Sequence, residues 1–319
     1  MYCSIRLTKM SQMRLQQTIK RPVRCTGVGL HSGGRVSLSL LPAPRDSGIV
    51  FIRKDIDSGV RVDALIKNIR PALLSTVVGV NGVQVQTTEH VLAAATGLGI
   101  DNLYIEVDAP ELPVMDGSAA PFVKMILDAG ITAQDRHRSF LKIVRPVDVN
   151  EGDKSIEILP ASLSSITYTI NYDHPMIGHQ DYLYRDSPDA FMCEIAPART
   201  FGFLREVEAL WDAGLGLGGS LQNTLILSDE GLLNVDGLRF ADEFVRHKIL
   251  DLMGDMALLG LPFIGEVVAV RSGHALHARL VDKILESPEN WILVSGDTVM
   301  PAGRVSHLAP AYVAAPERG

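Results

Sequence analysis

Cysteine is scarce in this sequence: Cys3, Cys25 and Cys193 are the only three in 319 residues. An odd number at irregular spacing excludes a disulfide framework and zinc-finger spacing, and it suits a reducing compartment. Basic runs are absent as well. The 30 Lys and Arg stand against 37 Asp and Glu, a net charge of -7, which disfavours a nucleic-acid partner. No apolar stretch reaches the roughly 20 residues of a membrane span without a charge or glycine, so no transmembrane segment is expected. The first dozen residues lack the apolar core of a secretory signal, and the chain reads as cytoplasmic. What is present is ordinary globular usage, 46% apolar and 21% charged. That excludes disorder, collagen and coiled coil, and the length is enough for two domains.

Short strand-like runs at 36–41, 48–53 and 83–87 occupy the first hundred residues, each bounded by Gly, Pro or Asn. A helix is expected at 90–96, with Thr87 or Thr88 as N-cap and Glu89 in its first turn, ending at Gly97 or Gly99. A strand at 103–107 and a helix at 121–129 follow, and the polar stretch 132–139 reads as a patternless domain boundary. Strands are expected again at 141–149, 154–159 and 165–172, helices at 205–213 and 241–259, and a strand at 266–270. His90 lies nine residues before Gly99 and His247 thirteen before Gly260, a difference of about one helical turn. This suggests a weak internal duplication and an α+β fold. Two domains of similar topology, each a sheet packed on helices, would lie layered against each other with the active site between them. The expected organisation is a flexible extension or mis-assigned start at 1–12, a first domain at 13–137, a second at 138–300 and a tail at 301–319.

The segment ADEFVRHKILDLMGDMALLG carries the most chemical information. Val245, Ile249, Leu252, Met256 and Leu259 form one apolar stripe, and His247, Asp251 and Asp255 recur every fourth residue on the other side. Four residues advance a helix by about 6 Å, so His247 and Asp251 can converge on one ion, and both are good zinc ligands. A solvated His–Asp pair is the ordinary alternative, against which Leu258 suggests that this face too is partly covered. His90 offers a third ligand, with Glu89 beside it suited to general-base work or simply to the helix dipole. His274, in a turn after the 266–270 strand, is either a candidate acid oriented by Asp255 or an ordinary loop histidine. His31, His137, His174, His179, His277 and His307 give no comparable signal. GLGLGGS at 214–220 superficially suggests a phosphate loop, but it lacks the P-loop spacing and follows a helix, which favours a helix-terminating turn. MDGSAAPF at 115–122 reads as a turn into a helix, with Asp116 or Ser118 available for capping.

Taken together, TTEHVLAAATGLGIDNLYIEVDAPELPVMDGSAAPF, ARTFGF, GLGLGGS, GLRFADEFVRHKILDLMGD and SGHAL resemble the UDP-3-O-acyl-N-acetylglucosamine deacetylase family. These are zinc amidases at the committed step of lipid A synthesis in Gram-negative bacteria. The resemblance runs from about Met13 to the 280s. It implies one catalytic Zn2+ held by His90, His247 and Asp251, with Glu89 as the base that activates water. It also implies His274 as the acid that protonates the departing amine, Asp255 as its partner, Thr200 as an oxyanion donor and Lys248 as a cation of the substrate site. Lys154, Tyr172, Phe201 and Phe203 match contacts to the sugar nucleotide, although the family usually has Phe where Tyr172 stands. The insert 202–227 resembles a passage for the 3-O-acyl chain, involving Leu204, Val207, Gly216 and Ser220. Leu204, Val207 and Trp211 also recur at helical spacing, for which core packing is the default explanation. The implied substrate is an acylated UDP-GlcNAc and the implied state a monomer. A small-molecule kinase using the 214–220 loop is the alternative, and a catalytically dead sugar-nucleotide binder ranks below it.

Overall fold

The computed structural model describes residues 15–56, 59–296 and 298–301. The expectations for residues 1–12 and for the tail beyond residue 301 lie outside the described residues. The fold is mixed α+β, with several sheets and few helices. Its helices include α1 (Glu89–Gly97), α2 (Ala120–Ala129), the short α3 (Val207–Asp212), α4 (Glu243–Met256) and α5 (His274–Glu286).

Two five-stranded sheets dominate. Across the first, the order is Val23–Val28, Arg35–Pro42, Leu103–Val107, Ile49–Arg53 and Val60–Asp63. Across the second it is Val147–Glu151, Lys154–Leu159, Glu266–Val270, Ser165–Asn171 and His179–Arg185. In each, the last strand in the chain enters the centre, parallel to one neighbour and antiparallel to the other. Alternation in the sequence accounts for these strands: Ile156 and Ile158, Ile166, Tyr168 and Ile170, and Val36, Leu38 and Leu40 are buried at every second position. The polar stretch 132–139 is not without regular structure. Ile131–His137 pairs antiparallel with Leu15–Ile19, and Ser139–Ile143 begins the next strand. The single strand expected at 141–149 is two, Ser139–Ile143 and Val147–Glu151, because Pro146 between them has no N–H for a ladder.

Helix α1 is buried on almost every side, which explains its run of apolar and small residues. It packs along α4, and α4 also contacts α5 and the strands Ser165–Asn171 and His179–Arg185. At Gly254 the two helices approach so closely that a Cβ would fall well inside van der Waals contact distance of the Glu89 carbonyl oxygen. Both faces of α4 are therefore covered: Val245, Ile249 and Leu252 are buried, and so are His247, Asp251 and Asp255. No helix among the described residues is long and apolar enough to cross a membrane.

Candidate active site

Three helical segments meet at one place: the first turn of α1, the middle of α4 and the first turn of α5. The backbone ahead of two of them is strained, with Thr87 at φ 57 and Arg271 at φ 51, in the left-handed region that β-branched and bulky residues avoid. The strain is held by hydrogen bonds. The Thr87 hydroxyl donates to Glu111 at 3.1 Å, and the Arg271 N–H donates to the Thr169 carbonyl at 2.8 Å. Neither threonine caps α1 as expected. Thr88 precedes the helix, but its hydroxyl donates to the Thr76 carbonyl at 3.1 Å. His274 is not in a turn either, since it is the first residue of α5.

His90, His247 and Asp251 each offer a donor atom, all within 4.8 Å of one another, and all three are buried. The Ala198 carbonyl can only accept, so His247 Nδ1, 3.1 Å away, carries the proton and Nε2 bears the lone pair. That lone pair faces Asp251 Oδ1 at 3.2 Å, with His90 Nε2 at 3.8 Å from the same oxygen. Lys248 Nζ occupies the other Asp251 oxygen at 2.7 Å. Burial pushes His90 down to about 3, assisted by His247, and burial likewise lowers His247 against the pull of Asp251, so both rings are neutral. Burial opposes charge on Asp251, yet the Lys248 ammonium beside it helps to hold it below the usual carboxylate range. His90 Nδ1 is buried with no hydrogen-bond partner. Neutral imidazoles and an ionised carboxylate turning acceptors towards one another form a set that a divalent cation satisfies and that is unfavourable without one.

Beside this set lies a hydrogen-bonded row. Asp255 Oδ2 accepts from Nδ1 of His274 and from Nδ1 of His277, each at 2.7 Å, and the Thr76 hydroxyl donates to Oδ1. These groups could also be grouped around an ion, but protons already occupy the space between them. Burial and a helix N-terminus both work against a charged His274, yet Asp255 outweighs them and its pKa rises to about 9. Burial raises Glu89 to about 7 against the pull of His274, and the Thr76 N–H donates to its Oε2 at 2.9 Å. Thr76 and His277 were not evident from sequence. His277 did carry a signal, the i, i+3 spacing from His274, but it is visible only once the segment is read as a helix.

Aromatic rings lead away from the donors. Phe201 lies 6.4 Å from His247 between ring centres and 5.8 Å from Tyr172, and Tyr172 is 5.9 Å from Phe203. Tyr172 and Lys154 line a cavity of about 290 Å³ together with Asn171, Arg271 and Ser272. Thr200 is set by its N–H to the Gly117 carbonyl at 2.8 Å, and Gly117, at φ 82, has no room for a Cβ against the Asn223 carbonyl. Further along the insert, Leu204 (47%) and Trp211 (56%) are exposed, so this stripe is not core. Val207 and Gly216 are half-buried and Ser220 is exposed. The glycine-rich stretch is a turn closing α3, as its composition suggested. Leu217 and Gly218 donate their N–H groups to the His31 and Leu30 carbonyls, Gly219 to Gly216, and Ser220 to Asn223, so these donors are not free to cradle a phosphate.

A family model described as UDP-3-O-acyl N-acetylglycosamine deacetylase matches residues 16–286. Among similar curated proteins, the UDP-3-O-acyl-N-acetylglucosamine deacetylase of Myxococcus xanthus (strain DK1622) is 47% identical over 279 residues, 88% of this chain and 89% of that protein. The protein of the same name from Anaeromyxobacter sp. (strain Fw109-5) is 46% identical over 291 residues, 91% of this chain and 95% of its own. That of Syntrophus aciditrophicus (strain SB) is 44% identical over 283 residues, 89% and 90% of the two chains. With identity at that level over nearly the whole length, this chain belongs to the UDP-3-O-acyl N-acetylglycosamine deacetylase family.

Proposed function

We propose that this chain hydrolyses the N-acetyl group of UDP-3-O-[(3R)-3-hydroxyacyl]-N-acetylglucosamine, releasing acetate and the free 2-amino sugar nucleotide in lipid A synthesis. One observation carries the reading: a carboxylate poised near neutrality, three cation donors and a protonated imidazole converge from α1, α4 and α5. The donor set is read as a site for one Zn2+ on His90, His247 and Asp251. When bound, such an ion polarises the amide carbonyl and makes water a stronger acid.

The chain's own groups supply the remaining steps. Glu89, with Oε2 held by the Thr76 N–H, accepts a proton from the attacking water as the C–O bond forms. The Thr200 hydroxyl donates to the oxygen on which charge develops. His274, held at Nδ1 by Asp255, gives a proton from Nε2 to the nitrogen as the C–N bond breaks, so the amine leaves neutral. Lys248 keeps Asp251 ionised and aimed at the donors. The cations Lys154 and Arg271 in the cavity suit the diphosphate, and Tyr172, Phe201 and Phe203 offer faces for the sugar nucleotide. The exposed apolar side chains of Leu204 and Trp211, with Val207, Gly216 and Ser220 nearby, suit a path for the acyl chain.

The shared strand order of the two large sheets supports reading them as a duplication, with units at 13–137 and 138–300 layered on the α1–α4 contact. The monomeric, cytoplasmic enzyme of the resemblance belongs to the same proposal. The experiment is metal analysis of wild type and His247→Ala, with acetate release from the acylated UDP-GlcNAc. Loss of zinc together with turnover is expected in the variant. Full turnover without His247 refutes the site.

A further inference from the structure

The row that holds His274 has a member for which the mechanism above has no use. His277 lies one turn further along α5, fully buried at 0% exposure. Its Nδ1 is 2.7 Å from Asp255 Oδ2, the same oxygen that holds His274, and its Nε2 is 2.9 Å from the Ser272 hydroxyl. We infer that His277 is a positioning residue for the acid, acting through Asp255 to hold the carboxylate in the plane that aims His274 at the departing nitrogen. The inference rests on the deacetylase reading for what His274 does, and on geometry alone for how it is held.

The protons in this row can be assigned one by one. An ionised Asp255 can only accept, so Nδ1 of His277 carries a proton. Burial keeps the ring neutral against the pull of Asp255, which leaves a lone pair on Nε2. Tyr168 commits its single proton to the Ser272 carbonyl at 2.8 Å, and the Ser272 hydroxyl lies 2.9 Å from Nε2 and 2.9 Å from the Tyr168 oxygen, so Nε2 and that oxygen share it as their donor. On the other side, the Thr76 hydroxyl holds Asp255 Oδ1 while its backbone N–H holds Glu89. Three donors on two oxygens fix both the position and the plane of the carboxylate. With His277 gone, Oδ2 keeps only His274, and the pair can turn together about the Asp255 side chain. The row ends at Ser272, in the wall of the cavity shared with Lys154, Tyr172 and Arg271.

The test compares kcat and KM for acetate release in His277→Phe and His277→Asn, each in wild-type and His274→Gln backgrounds, with zinc content and thermal unfolding as controls. Phenylalanine fills the space but offers no proton, and should lower kcat about 10- to 100-fold with KM within about twofold. Asparagine can put an N–H where Nδ1 was and should return kcat to within about threefold of wild type. In the His274→Gln background the phenylalanine should cost less than about twofold, because the group through which it acts is gone. Imidazole nitrogen NMR on the zinc-loaded wild type should show His277 neutral, with its proton on Nδ1. That measurement stands even if a variant fails to fold. Equal losses in both backgrounds, failure of asparagine to rescue a folded, zinc-bearing protein, or a proton on Nε2 would each overturn the inference. A folded, zinc-bearing wild type that releases no acetate defeats the deacetylase reading instead, and the NMR result then judges the row independently.

Discussion

His274 shows how one neighbour sets a side chain's chemistry. Its pKa of about 9 lies above the ordinary 6.5, so the charged acid is fully present below 6.5 and is lost as pH rises through 9. Turnover should fall on the alkaline side with that midpoint. Asp255→Asn should move the midpoint down towards the ordinary value, as a kcat–pH profile of both proteins would reveal. Glu89→Gln keeps an oxygen for the Thr76 N–H but removes the proposed base, so kcat should drop by roughly 10²- to 10⁴-fold with zinc content unchanged. A variant that retains kcat would show that another group takes the water proton. The candidate ligands and Glu89 were legible because helical periodicity puts His247 and Asp251 on one side and Glu89 beside His90 in a first turn. Thr76 was not, because a threonine before a short strand has no local pattern to mark it.

At the scale of elements, the contact that matters is α1 on α4. Gly254 lets the two backbones touch at Glu89, so Gly254→Ala must push α1 away from the donors on α4. A loss of about 1–3 kcal/mol is expected in denaturant unfolding, together with weaker zinc retention. An alanine variant with unchanged midpoint and metal content would show that the helices have room to spare. Apart from the 141–149 run, the strands and helices expected from the sequence lie within about three residues of those found, since each rests on its own alternation or apolar stripe, whereas strands such as Val23–Val28 and His179–Arg185 and the whole of α5 were not expected. The failures have local causes. Residues 132–139 have little apolar alternation because the strand they form lies at the surface, paired to a partner more than a hundred residues earlier. His274 looked like a turn residue because Ser272 and Gly273 precede it, whereas Gly273 is the extended residue from which α5 starts.

For the whole molecule, bringing acceptor atoms of His90, His247 and Asp251 face to face destabilises the folded chain unless a cation lies among them. Wild type should therefore lose thermal stability on chelation and recover it with zinc, a metal at about 1,000 times its Kd being worth about 4 kcal/mol. His247→Ala should show little response, and an equal response would place the stabilising metal elsewhere. Composition and periodicity were enough to establish a folded α+β chain, and single helices were enough to nominate most of the groups that the fold gathers at the candidate site, because those properties depend on neighbours within a turn or two. The meeting of α1 with α4, the tautomer of His247, the pairing of His277 with Asp255 and the surface position of Leu204 and Trp211 required the folded chain. Each depends on atoms brought within a few ångströms by segments far apart in order, and on the water that their burial removes.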